Sequence, residues 1–405
     1  MTAFIHDDFL LRTAAARRLY HEHAAGLLIV DYHNHLDPLA LAEDRAFANL
    51  TRLWIATDPY KHRAMRIAGV PERLITGDAS DREKFEAWAA TVPLTIGNPL
   101  FHWTALELQR YFGINEVLSP ETAGRIWEQC NEQLRTKTFT ARQLIARANV
   151  EVLCTSDRLN DDLSAHARLA QSDFKTRVFP SPRDAEAPDT KRLDEFQRLG
   201  CRLADHAFNS FDSDALRACA REYARRGWIL QLHFGAQRET STRLRRLAGP
   251  AGGYATIGSA CDIAGLCRFL DGLEQEGCLP RTILYPLNPA DYAAIAKLTG
   301  SFAADGVRGK VQFGPAWWYN DHALGIRQHL EVLAHYGLLA TFIGMTTDSR
   351  SLLSMVRHEY FRRVLCTWLG ERVEAGELPA DLGALVRAVC YENAREWILK
   401  GRTEK

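Results

Sequence analysis

Eight short runs of apolar and β-branched residues recur along this chain of 405 residues, and no other feature constrains its fold as much. Each run ends in polar or charged residues, and helical patterns separate most of them. Strands that alternate with helices predict parallel βα units, and eight such units close a (β/α)8 barrel. An α/β fold of the TIM-barrel type is therefore expected. The predicted strands are residues 27–35, 150–157, 177–183, 201–208, 228–238, 282–289, 311–318 and 341–350.

One long stretch interrupts this alternation. Residues 36–149 contain no convincing strand, and two of their helical segments begin with start signals at Ser80 and Ser119. Active sites of such barrels lie at the carboxyl ends of the strands, so we expect this stretch to cover the site. Three parts are therefore predicted: an N-terminal helix with barrel strand 1 (1–35), a helical insertion over the active-site face (36–149), and the remaining barrel with closing C-terminal helices (150–405).

Charge and cysteine content exclude several classes of function. Fifty basic and 50 acidic residues give a formal net charge of zero, which does not provide the positive field that nucleic acids or anionic membranes attract. Nine cysteines without a C-x-x-C spacing argue against a disulfide framework and against a thiolate zinc site. The N-terminus carries Asp7 and Asp8 where a signal peptide would be basic. We therefore expect a cytoplasmic protein with neither a nucleic-acid partner nor a membrane partner.

Two histidines end the first predicted strand. Because side chains alternate along a strand, His33 and His35 are expected to project to the same side and could bind one divalent metal ion, with Asp31 and Asp37 nearby as supporting carboxylates. The alternative is a pair of hydrogen-bonded or solvated polar residues. A second His-x-His, at residues 21–23, lies in a helical pattern, where two residues turn by about 200° and the rings diverge.

The last predicted strand ends at Asp348, which closure of the barrel would place beside strand 1. His33, His35 and Asp348 would then form a three-ligand site with open positions, the pattern of a catalytic metal. Capping of the next helix is the alternative role for Asp348. His233 ends the fifth strand, and the sixth ends without a histidine. One divalent ion, with zinc as first choice, is therefore expected.

Cationic and aromatic residues also gather where the strands end. Arg183, Arg238 and Arg350 favour an anionic substrate such as a carboxylate, which arginine can bind with two parallel hydrogen bonds. Trp317 either belongs to the core or packs against a sugar face. The glycine-rich string at 247–254 lacks a phosphate-loop pattern and is expected to form a mobile loop.

The His-x-His on strand 1, the strand-5 histidine and the final aspartate resemble the amidohydrolase superfamily. Within that superfamily, longer strings resemble the uronate isomerase (glucuronate isomerase) family over nearly the whole chain. These strings include DYHNHL, YKHRAMRIAGVPERLITGDASDREKFEAWAATVPLTIGNPLFHWTALEL, HFGAQR, TILYPLNP, QFGPAWWYND and GMTTDSRSLLSMVRHEYFRRVLC. The resemblance implies an amidohydrolase-type barrel and a hexuronate as the small-molecule substrate.

The resemblance also implies a reaction, namely metal-assisted aldose–ketose isomerisation of D-glucuronate to D-fructuronate and of D-galacturonate to D-tagaturonate. A base would remove a proton from C2, and the enediol would be reprotonated at C1. Asp348, or a water beside it, is the first candidate for this acid–base role, and Tyr60 is the second. The metal ligands implied are His33, His35 and Asp348. The substrate-binding residues expected are Tyr60, Arg183, Asp205, His233, Arg238, Arg350 and Trp317.

The chain departs from the family at Pro59, where the relatives have a histidine directly before the tyrosine. Two interpretations are open. Pro59 could simply begin a helix that runs through Tyr60 to Ile67, a common position for proline. Alternatively, His62 could take over the missing role, since residues three apart share a helix face. The connection between strands 4 and 5 is also shorter than in the longer members of the family.

Two rival functions stay open at this point. A hydrolase or decarboxylase of the same superfamily would use the same three ligands on a carboxylated small molecule. A barrel that only binds a sugar acid, as a sensor or scaffold, would need the ligand trio to be incidental. The sequence leaves open the preferred uronate epimer, the identity of the metal and whether the chain forms a homo-oligomer.

Overall fold

The main sheet contains seven parallel strands, in the order β1-β2-β3-β4-β5-β8-β9. A computed structural model of the protein describes residues 3–184, 186–208, 210–211 and 213–400. Every residue of β1, β5 and β8 is buried, so the sheet forms the centre of the molecule. The strands are β1 (Ile29–Asn34), β2 (Val150–Arg158), β3 (Arg177–Arg183), β4 (Leu203–Ala207), β5 (Ile229–Phe234), β6 (Ala236–Gln237), β7 (Thr256–Ile257), β8 (Thr282–Pro286) and β9 (Val311–Phe313).

Helices surround the sheet, and none of those in the described ranges is long and apolar enough to cross a membrane. The α-helices are α1 (Ala14–Leu19), α2 (Pro38–Ala42), α3 (Leu50–Trp54), α4 (Pro59–Ile67), α5 (Asp81–Thr91), α6 (Pro99–Phe112), α7 (Pro120–Leu134), α8 (Ala141–Arg147), α9 (Ser164–Ala170), α10 (Thr190–Arg198), α11 (Asp214–Arg226), α12 (Thr242–Ala248), α13 (Ile263–Gln275), α14 (Tyr292–Leu298), α15 (Ala323–Tyr336), α16 (Val356–Glu374), α17 (Gly383–Arg387) and α18 (Asn393–Leu399). Short 3-10 turns and two π-helical turns (Tyr20–Ala24 and Ala388–Glu392) complete the pattern.

Local signals in the sequence set the helix ends where they were predicted. Ser80 caps α5 through a capping box with Glu83, in which each side chain binds the backbone N–H of the other. Ser119 precedes α7, which begins with a proline. Gly227 ends α11 with a φ of 69°, which glycine adopts without the steric cost that a side chain brings.

The eighth predicted strand is wrong. Residues 342–350, here called the closing segment, form no strand, although they lie between β9 and β1. The amide of Asp348 donates to the carbonyl of His33 (3.0 Å), and the amide of His35 donates to that of Ser349 (2.9 Å). Gly344 (φ 89°) and Asp348 (φ 48°) occupy the left-handed region. These two bends prevent a regular ladder of backbone hydrogen bonds. The closing segment therefore lies between β9 and β1 without forming a strand.

Other predicted strands are shorter than expected. The run at 228–238 divides at Gly235 (φ 81°) into β5 and β6, and β6 pairs with β7 in a separate two-stranded sheet. Between β1 and β2 the described chain contains helices and no strand, as the apolar pattern indicated. The α/β fold class predicted for the chain is therefore correct, with seven regular strands instead of eight.

Candidate active site

A cavity of about 330 Å³ lies at the carboxyl ends of the strands, a size in the range of small-molecule sites. The structure brings every predicted site residue to its wall. These ten residues are His33, His35, Tyr60, Arg183, Asp205, His233, Arg238, Trp317, Asp348 and Arg350. They come from β1, β3, β4 and β5, from α4, from the loops after β6 and β9, and from the closing segment.

His33 and His35 point to the same side of β1 and converge on one carboxylate oxygen. Their Nε2 atoms lie 3.2 and 3.1 Å from Oδ1 of Asp348, and their ring centroids are 5.3 Å apart. The other His-x-His behaves differently, because His21 contacts Asp8 (2.9 Å) while His23 receives a hydrogen bond from Arg387 (3.2 Å). The two rings of that pair serve different partners.

Burial and charge oppose each other in this cluster. Burial disfavours a charged His33, but Asp205 and Asp348 outweigh it and raise the pKa of His33 to about 9. Burial also disfavours a charged Asp348, yet hydrogen bonds from His33 and His35 hold its pKa well below the ordinary value. The pKa of His35 is lowered by burial and by the neighbouring charges of His33 and Arg350. The cluster thus favours a positive charge on His33 and a neutral His35 beside Asp348.

Asp205 forms the second carboxylate of the site. It accepts a hydrogen bond from Ser156 (2.9 Å), and its Oδ1 lies 2.8 Å from Nδ1 of His233. The His233 ring stacks on Tyr285 with centroids 4.1 Å apart. Ser156 and Tyr285 support the site from β2 and β8, and no sequence pattern singled them out.

Two groups of donors in the described residues could hold a metal ion: His33, His35 and Asp348, or His33, Asp205 and His233. In each group the donor atoms lie within 4.8 Å of one another. Asp205 faces Nδ1 of His33 at 3.9 Å, the side on which carboxylates orient a metal-binding imidazole. The first group is less enclosed, and two imidazoles with one carboxylate leave positions open for substrate. The donor set therefore fits one divalent ion.

The three arginines lack carboxylate partners. In the described part of the chain, neither Arg183, Arg238 nor Arg350 forms an ion pair with an acidic side chain, although most surface arginines do. Arg183 lies 3.4 Å from Nδ1 of His35, and the guanidinium of Arg238 stacks over Trp318 at 5.3 Å. The pKa of Arg350 is lowered by burial and by the charge of Arg183. This wall is therefore suited to an anionic group.

Pro59 begins α4, as one of the two interpretations predicted. The carboxylate of Asp58 caps the helix by accepting from the amides of Tyr60 (2.9 Å) and Lys61 (3.2 Å). Pro59 and Tyr60 line the cavity. His62 is buried and is not among the described residues of the cavity wall, so its predicted substitution for the missing histidine has no support in the geometry.

Trp317 belongs to the core, as one of the two interpretations predicted, and it also reaches the cavity wall. Its side chain is buried, and its indole nitrogen donates to the carbonyl of Pro286 (3.3 Å). Its ring also lines the cavity and meets His233 edge to face at 4.8 Å.

The glycine-rich string forms part of the cavity wall. Residues 249–255, here called the strap, contribute Pro250, Ala251, Gly253 and Ala255 to the wall. Arg63 on α4 donates to the carbonyls of Gly253 (3.2 Å) and Ala255 (2.9 Å), which ties the strap to the helix. The glycines alone indicated a loop; they gave no signal for this contact.

Asp31 and Asp37, the two carboxylates near the histidine pair, differ in role. Asp31 is fully buried and accepts hydrogen bonds from Thr346 (2.9 Å) and from the amide of Thr347 (2.7 Å) in the closing segment. Asp37 instead caps α2 and pairs with Arg45 at the surface (2.9 Å). Only Asp31 supports the site.

Known proteins resemble this chain over nearly its full length. The sequence profile of the glucuronate isomerase family matches residues 1–190 and 202–398. A uronate isomerase of Bacillus licheniformis is 42% identical, and the alignment covers 98% of each chain.

Solved structures show the same likeness. The crystal structure of a uronate isomerase from Thermotoga maritima has a TM-score of 0.90 and 30% identity, covering 98% of this chain and 100% of that one. That of a glucuronate isomerase from Caulobacter crescentus has a TM-score of 0.88 and 21% identity, covering 99% and 98%. The second likeness shows a shared fold.

Proposed function

The chain belongs to the glucuronate isomerase family, and from this membership we propose how its cavity interconverts an aldose hexuronate and the corresponding ketose. The reactions are D-glucuronate to D-fructuronate and D-galacturonate to D-tagaturonate. One observation supports the proposal most: three arginines that lack carboxylate partners within the described chain share a cavity with two histidines and an aspartate that converge. A sugar acid presents an anion at C6 and a carbonyl at C1, which matches these two groups.

His33, His35 and Asp348 are proposed to hold one divalent ion, with zinc as the ion of first choice. When bound, such an ion supplies a Lewis acid that polarises the carbonyl oxygen of the open-chain sugar. Asp205 keeps His33 oriented for this purpose from the other side of the ring.

The arginines set the register of the substrate. Arg183 and Arg350 lie next to the histidine cluster, and Arg238 stands across the cavity on Trp318. Bidentate hydrogen bonds from the arginines to the C6 carboxylate would fix that end of the sugar and thereby place C1 and C2 beside Asp348. Trp317 and His233 form the apolar and polar faces along the carbon chain.

Proton transfer is assigned to Asp348 first and to Tyr60 second. Asp348 takes the proton from C2, and the electron pair of the C2–H bond forms the enediol double bond as O1 gains a proton. C1 then receives a proton while the hydroxyl at C2 loses one, which leaves a ketone at C2. The Tyr60 hydroxyl is buried at the wall and has no hydrogen-bond partner among the described residues, so it is placed to donate a hydrogen bond to a sugar oxygen.

The proposal also includes a role for residues 36–149 and a location of the enzyme in the cell. Residues 36–149 act as a cover of the active-site face, supported by the contribution of Asp58, Pro59 and Tyr60 to the cavity wall. The enzyme works in the cytoplasm, supported by an odd number of cysteines, nine, without a C-x-x-C spacing, which suits a reducing compartment.

The test is to incubate the zinc-loaded protein with D-glucuronate or D-galacturonate in D2O and to follow C1 and C2 by NMR. Ketose formation, with deuterium entering at C1 wherever the proton exchanges with solvent, is the expected result. D-Glucose, which lacks the carboxylate, serves as the control and should turn over far more slowly. Hydrolysis of uronate lactones or esters without any ketose would overturn the proposal in favour of a hydrolase.

A further inference from the structure

A buried arginine lies directly behind Tyr60. Arg357, in the first turn of α16, is 1% exposed, and its guanidinium carbon is 4.8 Å from the centroid of the Tyr60 ring. The same guanidinium stacks on Trp103 at 4.0 Å. Trp103 in turn meets Tyr60 edge to face at 5.9 Å. The phenol ring therefore contacts both an indole and a cation, which also contact each other.

The charge of Arg357 is only partly neutralised. Its Nη1 lies 3.3 Å from Oδ2 of Asp321 and 3.5 Å from the carbonyl of Thr347, while its Nε has no hydrogen-bond partner among the described residues. Lys61, another buried cation nearby, forms ion pairs with Asp58 (2.5 Å) and Glu107 (3.6 Å). Arg357 is thus the cation whose field acts on the Tyr60 ring.

The hydroxyl of Tyr60 can form a hydrogen bond for which the described residues offer no partner. It is buried and has no partner among the described residues, although it stands at the wall of the cavity. A buried hydroxyl without a partner destabilises the empty site, and a hydrogen bond to a bound sugar oxygen would relieve this cost. The fold therefore holds the ring firmly and leaves its polar end for the substrate.

We propose that Arg357 is a positioning residue for the isomerisation, which fixes the Tyr60 ring and strengthens its hydroxyl as a hydrogen-bond donor to the bound uronate. The inference rests on the role proposed above for Tyr60. A cation near the face of a phenol stabilises the negative charge that develops on the phenol oxygen when its O–H group donates a hydrogen bond. The O–H group is therefore a stronger donor. Arg357 itself does not line the cavity in the described chain, so it acts through Tyr60.

The test combines two substitutions and measures kcat and KM for D-glucuronate. Tyr60→Phe is expected to lower kcat by about 100-fold, the range of one lost acid–base group. Arg357→Met is expected to lower kcat by about tenfold or more with little change in KM. When the two are combined, Arg357→Met should cost almost nothing further, because the hydroxyl through which it acts is gone. Arg357→Lys, which keeps the charge, should recover most of the lost kcat.

Arg362 provides a matched control on the same helix. It is also a buried arginine, but it donates to the carbonyls of Leu27 (2.9 Å) and Leu28 (2.8 Å). Any loss of kcat from Arg362→Met should be the same with Tyr60 or with Phe at residue 60. An equal loss from Arg357→Met in both backgrounds would overturn the inference and assign Arg357 a structural role.

Stability is controlled separately. Arg357→Met leaves Asp321 buried without its partner, which can destabilise the fold. The variant Arg357→Met/Asp321→Asn removes both charges and should show a smaller fall in kcat, because the charge of Asp321 opposes that of Arg357 at Tyr60. A fall in kcat of this folded double variant that does not depend on Tyr60 would also overturn the inference. Wild-type turnover of D-glucuronate reports on the proposed function independently of all these variants.

Discussion

At the scale of single residues, the histidine pair on β1 gives the most direct prediction. His33 and His35 both point at Oδ1 of Asp348, so replacing both with Ala removes two of three donors. The purified wild type should carry about one equivalent of a divalent ion, and the double variant should carry almost none. Metal analysis after dialysis, with circular dichroism to verify the fold, makes the measurement.

The chain offers its own control for this experiment. His21 and His23 have the same spacing but serve different partners, so replacing both with Ala should leave the bound metal unchanged. Full metal occupancy in the His33/His35 variant would refute the assignment of these ligands.

Substrate charge is tested at Arg183 and Arg350. Replacing either with Ala should weaken binding of D-glucuronate by about 2–5 kcal/mol, because a desolvated carboxylate loses a charge-assisted partner. Binding of neutral aldoses should change much less. Titration calorimetry with both sugars gives the comparison, and Arg45→Ala, an arginine paired with Asp37 at the surface, is the control. Equal weakening of glucose and glucuronate would contradict an anion-binding role.

His33 also predicts a pH dependence of stability. In the metal-free protein its pKa is raised to about 9, above the ordinary value of 6.5. A group whose pKa is higher in the folded state stabilises the fold fully below the unfolded pKa. That contribution, about 3 kcal/mol at most, is then lost as the pH rises through about 9. Urea unfolding of chelator-treated protein across this range measures it, and His33→Ala should flatten the curve. A variant with the same pH slope as the wild type would contradict the prediction.

All ten predicted site residues reach one cavity, and the reason is geometric. Most of them follow strand ends, and the carboxyl ends of parallel strands meet at one edge. Tyr60 lies in no strand and was found through the family resemblance alone. Asp31 was predicted from its place near the histidine pair, but its partner Thr346 was not, because the two residues are far apart in the sequence. Arg357 was not found for the same reason, since it lies far from Tyr60 in the sequence.

At the scale of elements, backbone conformation decided where the sequence prediction failed. The last run, rich in apolar residues, has the composition of a strand, yet Gly344 and Asp348 adopt φ values of 89° and 48°. An apolar pattern indicates which residues are buried but not which backbone φ angles they adopt. It therefore predicted a strand where a buried irregular segment lies. Helix starts were predicted more accurately, since Ser80 and Pro59 act through contacts within one turn.

The strap lies close to the start of α4 at Gly253. Gly253 has a φ of 82°, and an added Cβ would lie 2.3 Å from the carbonyl oxygen of Pro59. Gly253→Ala should therefore displace the strap from α4, raise KM for D-glucuronate and speed cleavage of the strap in limited proteolysis. Gly249→Ala is the matched control, since it also has a positive φ (73°) but meets nothing within 4 Å. Identical behaviour of the two variants would show that the contact with Pro59 has no role in covering the cavity.

At the scale of the whole molecule, Asp31 joins the first strand to segments more than 300 residues later in the chain. Its carboxylate accepts from Thr346, from the amide and hydroxyl of Thr347 and from Asn34, and it contacts His358 at 3.2 Å. These contacts join β1 to the closing segment and to α16. They take the place of the regular ladder that the closing segment lacks. The position of Asp348, two residues after Thr346, therefore depends on a side chain more than 300 residues earlier.

Replacing Asp31 with Ala should consequently affect the fold and the metal site together. Breaking a buried network of charge-assisted hydrogen bonds is expected to lower the free energy of unfolding by about 3–5 kcal/mol. The variant should also bind the divalent ion more weakly, because the closing segment that carries Asp348 loses its anchor. Asp37→Ala, an exposed helix cap two residues after His35, should cost only about 1 kcal/mol and leave metal affinity unchanged. Denaturant unfolding and metal titration measure the two effects, and loss of stability with wild-type metal affinity would show that Asp348 is held independently of Asp31.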